Sequence, residues 1–189
     1  MKNNITAIAQ LGEQLANWFA DNVSTFQADD RAAHGKAILK GIEIVKELNR
    51  LKADGLAAIT AVLNDQDVGT DSERIANLLQ VFAFAEKLAA ALHDELLDVD
   101  GETEVLRLVR PIVDKLDTIE PGRNALAGLL DDPDPIVQAS AGTFLIRMMP
   151  DRVIPILRAI EQNEPRKSAG FKAGWALTHW RVETKQSQS

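Results

Sequence analysis

The sequence LDDPDPIV, residues 130–137, is the stretch that decides the fold. Asp134 can cap a helix, because its carboxylate accepts hydrogen bonds from the free amides of a first helical turn. Pro135 suits the first helical position, where no backbone donor is needed and φ is already set. Apolar segments precede this turn at 125–130 and follow it at 137–145. The stretch therefore predicts two helices joined by a tight turn.

A second copy of this unit follows towards the C-terminus. Residues 153–157 (VIPIL) match its first helix and residues 171–177 (FKAGWAL) its second, with a longer turn between them. Two consecutive helical hairpins predict an all-α fold in which paired helices stack into a solenoid.

The composition agrees with a helical protein and excludes several kinds of chemistry. Of the 189 residues, 46% are hydrophobic and 5% are aromatic, and alanine and leucine, both good helix formers, dominate the apolar positions. The absence of cysteine excludes disulfides, thiolate catalysis and cysteine-ligated zinc. Polar residues interrupt the N-terminus before a signal-peptide core forms, and no apolar run approaches a membrane span. We therefore expect a cytoplasmic protein.

The first 52 residues predict a helical hairpin that caps the repeats. Apolar residues recur at three- and four-residue steps through 4–26, and a second stripe lies in the helix that ends near Leu51. Asp29 or Asp30 is the expected cap between the two helices. The members of the second stripe are Ile38, Ile42, Val45, Leu48 and Leu51.

The middle of the chain predicts three further helices within one continuous body, 53–182, followed by a flexible tail at 183–189. Ala53-Asp54-Gly55 is expected to break the chain before a short helix at 56–63. A long helix at 73–97, capped by Asp71 or Ser72, and a helix at 102–119 containing Pro111 follow.

Two copies of the hairpin resemble the HEAT-repeat pattern, in which an Asp-containing turn precedes Val-Arg and small residues. The usual arginine is replaced by Gln138 in one copy and Lys172 in the other. Residues 15–50 and 119–181 also resemble a family of small bacterial HEAT-like proteins of unknown function, relative to which 64–104 looks like an acidic insertion. That resemblance implies a binder rather than a catalyst, often an immunity partner of a bacterial toxin.

Charge is distributed unevenly along the chain. Residues 63–104 hold eleven acids against Arg74 and Lys87, a net charge of −9, whereas the whole chain carries −7. Such a segment repels nucleic acid and attracts a basic partner, although a solvated helix face explains the same charges. The candidate partner-binding acids are Asp65, Asp67, Asp71, Asp94, Glu95, Asp98 and Asp100.

The last helix carries a second candidate surface. Phe171, Trp175 and His179 lie at i, i+4 and i+8 and so share one face. This stripe either closes the end of the core or anchors a partner, since tryptophan is enriched at interface hot spots. Trp175 and His179 are accordingly further candidate partner-binding residues.

Catalytic and metal-binding patterns are missing from the sequence. His34, His93 and His179 are far apart, without a second ligand at metal spacing. The acidic run 98–104 lacks the acids that an EF-hand requires around its glycine. Turn and cap chemistry explains Asp131, Asp132 and Asp134 more simply than acid–base catalysis does. We therefore predict no cofactor and no bound metal.

The leading hypothesis is a non-enzymatic immunity protein that neutralises a basic toxin domain by binding and occluding it, without nucleic acid or membrane. A scaffolding HEAT-like protein that associates with itself is the alternative. A HEAT-like enzyme of DNA base repair is a remote one, because the chain is acidic and lacks a catalytic constellation.

Overall fold

The computed structural model describes residues 31–64, 69–119 and 121–186, together with parts of 7–22. Every regular element in these ranges is helical, which confirms the all-α prediction. The elements are α1 (Arg31–Asn64), α2 (Asp71–Leu96), α3 (Val99–Asp117), α4 (Gly122–Ala125), a 3₁₀ helix (Leu126–Asp131), α5 (Pro135–Leu145), α6 (Pro150–Asn163) and α7 (Ser168–Gln186).

Helix α1 is one continuous helix of 34 residues, so the predicted break at 53–55 is wrong. Gly55 is buried, and a Cβ built there would lie 2.9 Å from Leu88 Cδ2 of α2. The glycine thus allows close packing of α1 on α2 rather than ending a helix. The boundary predicted after residue 52 falls inside this helix, and the division into domains remains a prediction.

The predicted stripe of α1 is correct at one end and wrong at the other. Leu48 and Leu51 are buried, whereas Ile38, Ile42 and Val45 are exposed. The buried face is shifted because small residues admit the N-terminal segment: a Cβ at Gly41 would lie 2.8 Å from Trp18 Cζ2. The proposed caps Asp29 and Asp30 lie outside the described residues. The buried positions at this end are Ala37, Gly41 and Ile44.

Helix α2 lies at the centre of the molecule. Its N-cap is Thr70, not Asp71 or Ser72: the Thr70 hydroxyl accepts from the Glu73 N–H, and the Glu73 carboxylate accepts from the Thr70 N–H. This reciprocal capping box satisfies two free donors at once. Helix α2 packs against α1, α3, α5 and α7. The acidic segment 64–104 therefore contains a central core helix.

Residues Asp71–Asp94 of α2 are long and apolar enough to cross a membrane by length and composition. The sequence expectation that no such run exists was therefore wrong on this measure. However, 56% of its most apolar window is buried inside the protein. Within this helix Phe82 and Leu88 are fully buried, which is typical of a helix in a protein core.

Helices α2 and α3 form an antiparallel pair joined by Leu97 and Asp98. The break predicted at 98–101 is thus present but shorter, because Asp98 caps α3 and the helix begins at Val99. Helix α3 continues through Pro111 and buries one face, including Val105, Val109 and Ile112, against α2.

The turn at 130–137 forms as the sequence predicts. Asp134 Oδ1 accepts from the Ile136 N–H at 3.1 Å, and Pro135 occupies the first turn of α5. Asp132 Oδ1 accepts from the Asp134 N–H at 2.9 Å. The segment before the turn differs from the prediction, because 126–131 forms a 3₁₀ helix rather than an α-helix.

Helices α5, α6 and α7 pack against one another at the C-terminal end. The longer turn predicted before the last helix is present at residues 164–167. Gly170 is required there, because a Cβ would lie 1.9 Å from the Glu164 carbonyl oxygen. Helix α7 extends through Gln186, four residues into the segment predicted as a tail.

Candidate functional site

The turn between α2 and α3 holds a leucine in a conformation that leucine rarely adopts. Leu97 has φ 53° and ψ 29°, in the left-handed region, where a Cβ crowds the backbone. Its N–H donates to the His93 carbonyl, and the Asp98 N–H donates to the Leu92 carbonyl at 2.9 Å. The Leu97–His93 bond is that of the αL type of helix end, in which glycine or asparagine usually occupies the left-handed position.

The same turn exposes two apolar side chains. Leu97 is 77% exposed and Val99 is 57% exposed. Six acids and no lysine or arginine lie between residues 88 and 106. Leu97 and Val99 thus form an apolar tip within an acidic surface, which we call the acidic turn (residues 94–104).

Asp98 stabilises the acidic turn from within. Its Oδ1 accepts from the Gly101 N–H at 2.9 Å, and its Oδ2 lies 3.1 Å from Lys52 Nζ of α1. Burial alone would raise the pKa of the Asp98 carboxyl. The bonds from Gly101 and Lys52 outweigh that effect, so the pKa lies below its usual value.

Asp94 joins the acidic turn to the start of α7. Its carboxylate accepts from the Ser168 N–H at 3.0 Å and from the Ser168 hydroxyl at 2.7 Å. A carboxylate at this position satisfies free amides and interacts favourably with the helix dipole. This predicted partner-binding acid therefore has a clear structural role inside the molecule.

The remaining predicted acids are spread over different places. Asp71 is exposed in the first turn of α2 and lies 3.3 Å from Arg74 Nη1. Asp100 is exposed in the first turn of α3, within the acidic turn. Asp65, Asp67 and the Glu95 side chain lie outside the described residues. The structure thus brings Asp94, Asp98 and Asp100 together and places Asp71 at the far end of α2.

A cleft of about 620 Å³ opens between α2, α3, α5 and the start of α7. Its walls are mainly apolar, from Ala90 of α2, Leu106 and Val109 of α3, and Ile136 and Phe144 of α5. His93 and Glu102, which pair at 2.7 Å, line it on the side of the acidic turn.

A buried polar group forms part of the cleft lining. Glu86 is 1% exposed and accepts from Lys172 Nζ, which also donates to Ser140 Oγ at 3.0 Å. Ser140 is likewise buried. A buried carboxylate requires such a partner, because removing an unpaired charge from water is costly. Lys172 therefore connects α7 to α2 and α5.

The aromatic stripe of α7 does not close the core as one alternative held. Phe171 is 77% exposed and Trp175 is 49% exposed, and both line the mouth of the cleft. His179 stacks on Trp175 with ring centroids 3.9 Å apart, and its Nδ1 donates to the Trp175 carbonyl oxygen at 2.9 Å. The closing role falls instead to Ala173, Ala176 and Leu177 on the opposite face.

Within the described residues, no group of three or more histidine or acidic side chains is arranged to hold a metal ion. Asp131, Asp132 and Asp134 are occupied by turn bonds and by pairs with Arg152 and Lys87. Ser140 receives a hydrogen bond from an ammonium, whereas a serine nucleophile needs a neighbouring base to take its proton.

Sequence reasoning missed Leu97, Val99 and the cleft. Leu96-Leu97 at the predicted end of α2 read as a continuation of its apolar stripe. One signal was available in the sequence: no glycine or asparagine directly precedes Asp98. The left-handed position at the end of α2 therefore falls to Leu97, which has a branched side chain. The cleft depends on how four helices meet and has no local signal.

Comparison of the chain with protein-family models, with curated proteins and with solved structures finds no match.

Proposed function

We propose that this chain is a non-enzymatic protein-binding protein of the immunity type, which neutralises a toxin by occluding it. The observation that carries the proposal is Leu97: a large apolar side chain that is both exposed and held at positive φ. Each feature costs free energy, about 1–2 kcal/mol for the left-handed conformation alone. Unfavourable local geometry of this kind is retained at sites of function.

The surroundings of Leu97 fit a basic partner. An interface with an apolar centre and a charged rim is typical of specific complexes. Here Leu97 and Val99 form the centre, while Asp100 and Glu104, both exposed, contribute to the rim. Opposite charge on the toxin accelerates encounter and fixes orientation, and Leu97, once the toxin covers it, slows dissociation.

The arrangement of the helices supports this role. We propose that the hairpins α2–α3, the 3₁₀ helix with α5, and α6–α7 stack as HEAT-like units in a cytoplasmic protein, with the N-terminal segment as cap. Helix pairs that stack in this way present the turns between their helices along one edge. The turn at Leu97 is then one of the turns presented along this edge.

The experiment is affinity capture from the native host, with a charge-reversed variant beside the natural chain. The natural chain should retain a basic protein whose toxicity it suppresses on co-expression. The double substitution Asp100→Lys with Glu104→Lys should weaken that capture strongly, because it replaces attraction by repulsion at the rim. Raising the salt concentration should weaken the natural complex as well.

The matched control is Glu43→Lys with Glu161→Lys, which changes the net charge equally at exposed positions of α1 and α6. This variant should capture the partner as the natural chain does. Equal loss of capture in both variants would show that the change in net charge alone weakens capture. Unchanged capture by the Asp100/Glu104 variant, or no toxic partner at all, would contradict the proposal.

Self-association through α7 is a second candidate, favoured by the exposed Phe171 and Trp175. Two copies could bury these side chains against each other. Sedimentation at increasing protein concentration should then show a dimer that Phe171→Ser with Trp175→Ser converts into a monomer. A monomer at all concentrations would exclude this candidate.

A further inference from the structure

The cleft between α2, α3, α5 and α7 has the dimensions and lining of a small-molecule site. Its volume of about 620 Å³ lies within the range of about 300–1,000 Å³ found for ligand pockets. Such pockets combine apolar walls with a few polar groups that orient the ligand. Here Ala90, Leu106, Val109 and Phe144 supply apolar wall, and Trp175 stands at the mouth.

The formal charge of the cleft lining is opposite to that of the chain. Four cationic side chains line it against two carboxylates, whereas the chain as a whole carries −7. Both carboxylates are engaged, Glu86 with Lys172 and Glu102 with His93. The cationic side chains are Arg110, Arg166, Lys167 and Lys172.

The positions of these cations define where an anionic group can bind. Lys172 already donates to Glu86, and a second anion beside that buried carboxylate would be repelled. Arg110 lies 2.8 Å from Asp114, and Lys167 lies 3.2 Å from Glu164. Arg166 is exposed at the rim, and no described carboxylate lies within ion-pair distance of it.

We propose that the cleft binds a single-chain anionic amphiphile, of which a fatty acid is the simplest. Its hydrocarbon chain lies among the apolar walls, and its carboxylate pairs with Arg166 at the rim. Burial of each methylene contributes to affinity, and guanidinium–carboxylate pairing selects the anionic head. The cleft adjoins the acidic turn through Glu102, but the fatty-acid proposal does not rest on the toxin-binding proposal.

The test is calorimetric titration of the full chain with decanoate and with decylamine, each below its critical micelle concentration. The two ligands share an apolar chain and differ in the sign of the head group. Decanoate should bind with a stoichiometry of one and decylamine should bind far more weakly. The fluorescence of Trp175, isolated by comparison with Trp175→Phe, should change on decanoate binding.

Two variants locate the site, each with a matched control. Arg166→Glu should weaken decanoate binding by on the order of tenfold or more, whereas Arg158→Glu, an equal charge change on exposed α6, should leave it unchanged. Ala90→Leu should fill the cleft and abolish binding, whereas Ala57→Leu on the exposed face of α1 should not.

Equal binding of decanoate and decylamine would overturn the proposal, as would decanoate binding that survives Arg166→Glu. A chain that sediments as a dimer and binds no decanoate would show that a second copy occupies the cleft. That result would also overturn the proposal, and it would leave the toxin-binding proposal untouched.

Discussion

Two acidic turns of this chain use the same residue types in different ways. In the turn at 130–134, Leu130 is fully buried and every acid has a partner within the chain. In the acidic turn, Leu97 projects into solvent at positive φ and Asp100 stands exposed beside it. The first turn is explained completely by folding, and the second is not.

The difference separates stability from binding. Asp132 and Asp134 satisfy backbone donors and lie near Lys87 of α2, so the first turn connects α5 to the central helix. The acidic turn contains one comparable residue, Asp98, which caps α3 and pairs with Lys52. Around that support, the side chains of Leu97, Val99 and Asp100 are exposed and available to a partner.

The largest expected effect compares the two leucines. Leu130→Ala should lower the free energy of unfolding by about 2–5 kcal/mol, because it removes buried methyl groups and leaves a cavity. Leu97→Ala should change it by less than about 0.5 kcal/mol, because that side chain is exposed. Urea unfolding of both variants measures the contrast, and equal losses would show that Leu97 packs in solution.

Asp98 should make the acidic turn sensitive to acid. Asp98→Ala removes a helix cap and should cost about 1 kcal/mol at neutral pH. Because the folded-state pKa lies below the usual value of about 3.9, the carboxylate stabilises the fold fully above that pH and less as pH falls below it. Urea unfolding between pH 2 and 7 measures the free energy of unfolding of the Asp98→Ala variant and of the natural chain. The difference between these two free energies should become smaller below about pH 4. A constant difference would exclude the charge as its source.

The smallest expected contrast compares the exposed acid with a capping acid. Asp134→Ala should cost about 1 kcal/mol, because the Ile136 N–H loses its acceptor. Asp100→Ala should cost less than about 0.5 kcal/mol, although it lies in a first helical turn where a negative charge is mildly favourable. Thermal unfolding of the pair measures this, and a larger loss for Asp100 would assign it a structural role.

Local chemistry predicted much of the fold and little of the site. Asp134 and Pro135 indicate the start of a helix, because capping acts within a few residues. The structure confirms Asp134 as the cap and Pro135 in the first turn. Gly55 misled the prediction because its role is set by Leu88, which is 33 positions away in sequence. The Glu86–Lys172 pair joins two helices 86 residues apart, so periodicity holds no signal for it.

The sequence located the acidic segment but not which of its acids are available to a partner. Charge counting identified the segment that carries the acidic turn, since charge is additive along a sequence. It could not separate Asp94 and Asp98, which bond to other residues of the chain, from Asp100, whose side chain bonds to none of the described residues. That distinction depends on how α7 and α1 approach the turn.

Leu97→Gly tests the central claim most directly, because folding and binding predict opposite signs. Glycine adopts positive φ without strain, so the free energy of unfolding should rise by about 0.5–1 kcal/mol. The same substitution removes the proposed anchor, so the dissociation constant for the captured partner should rise by on the order of tenfold or more. A more stable chain that binds its partner less tightly is the predicted result. A Leu97→Gly chain that binds its partner as tightly as the natural one would contradict the account.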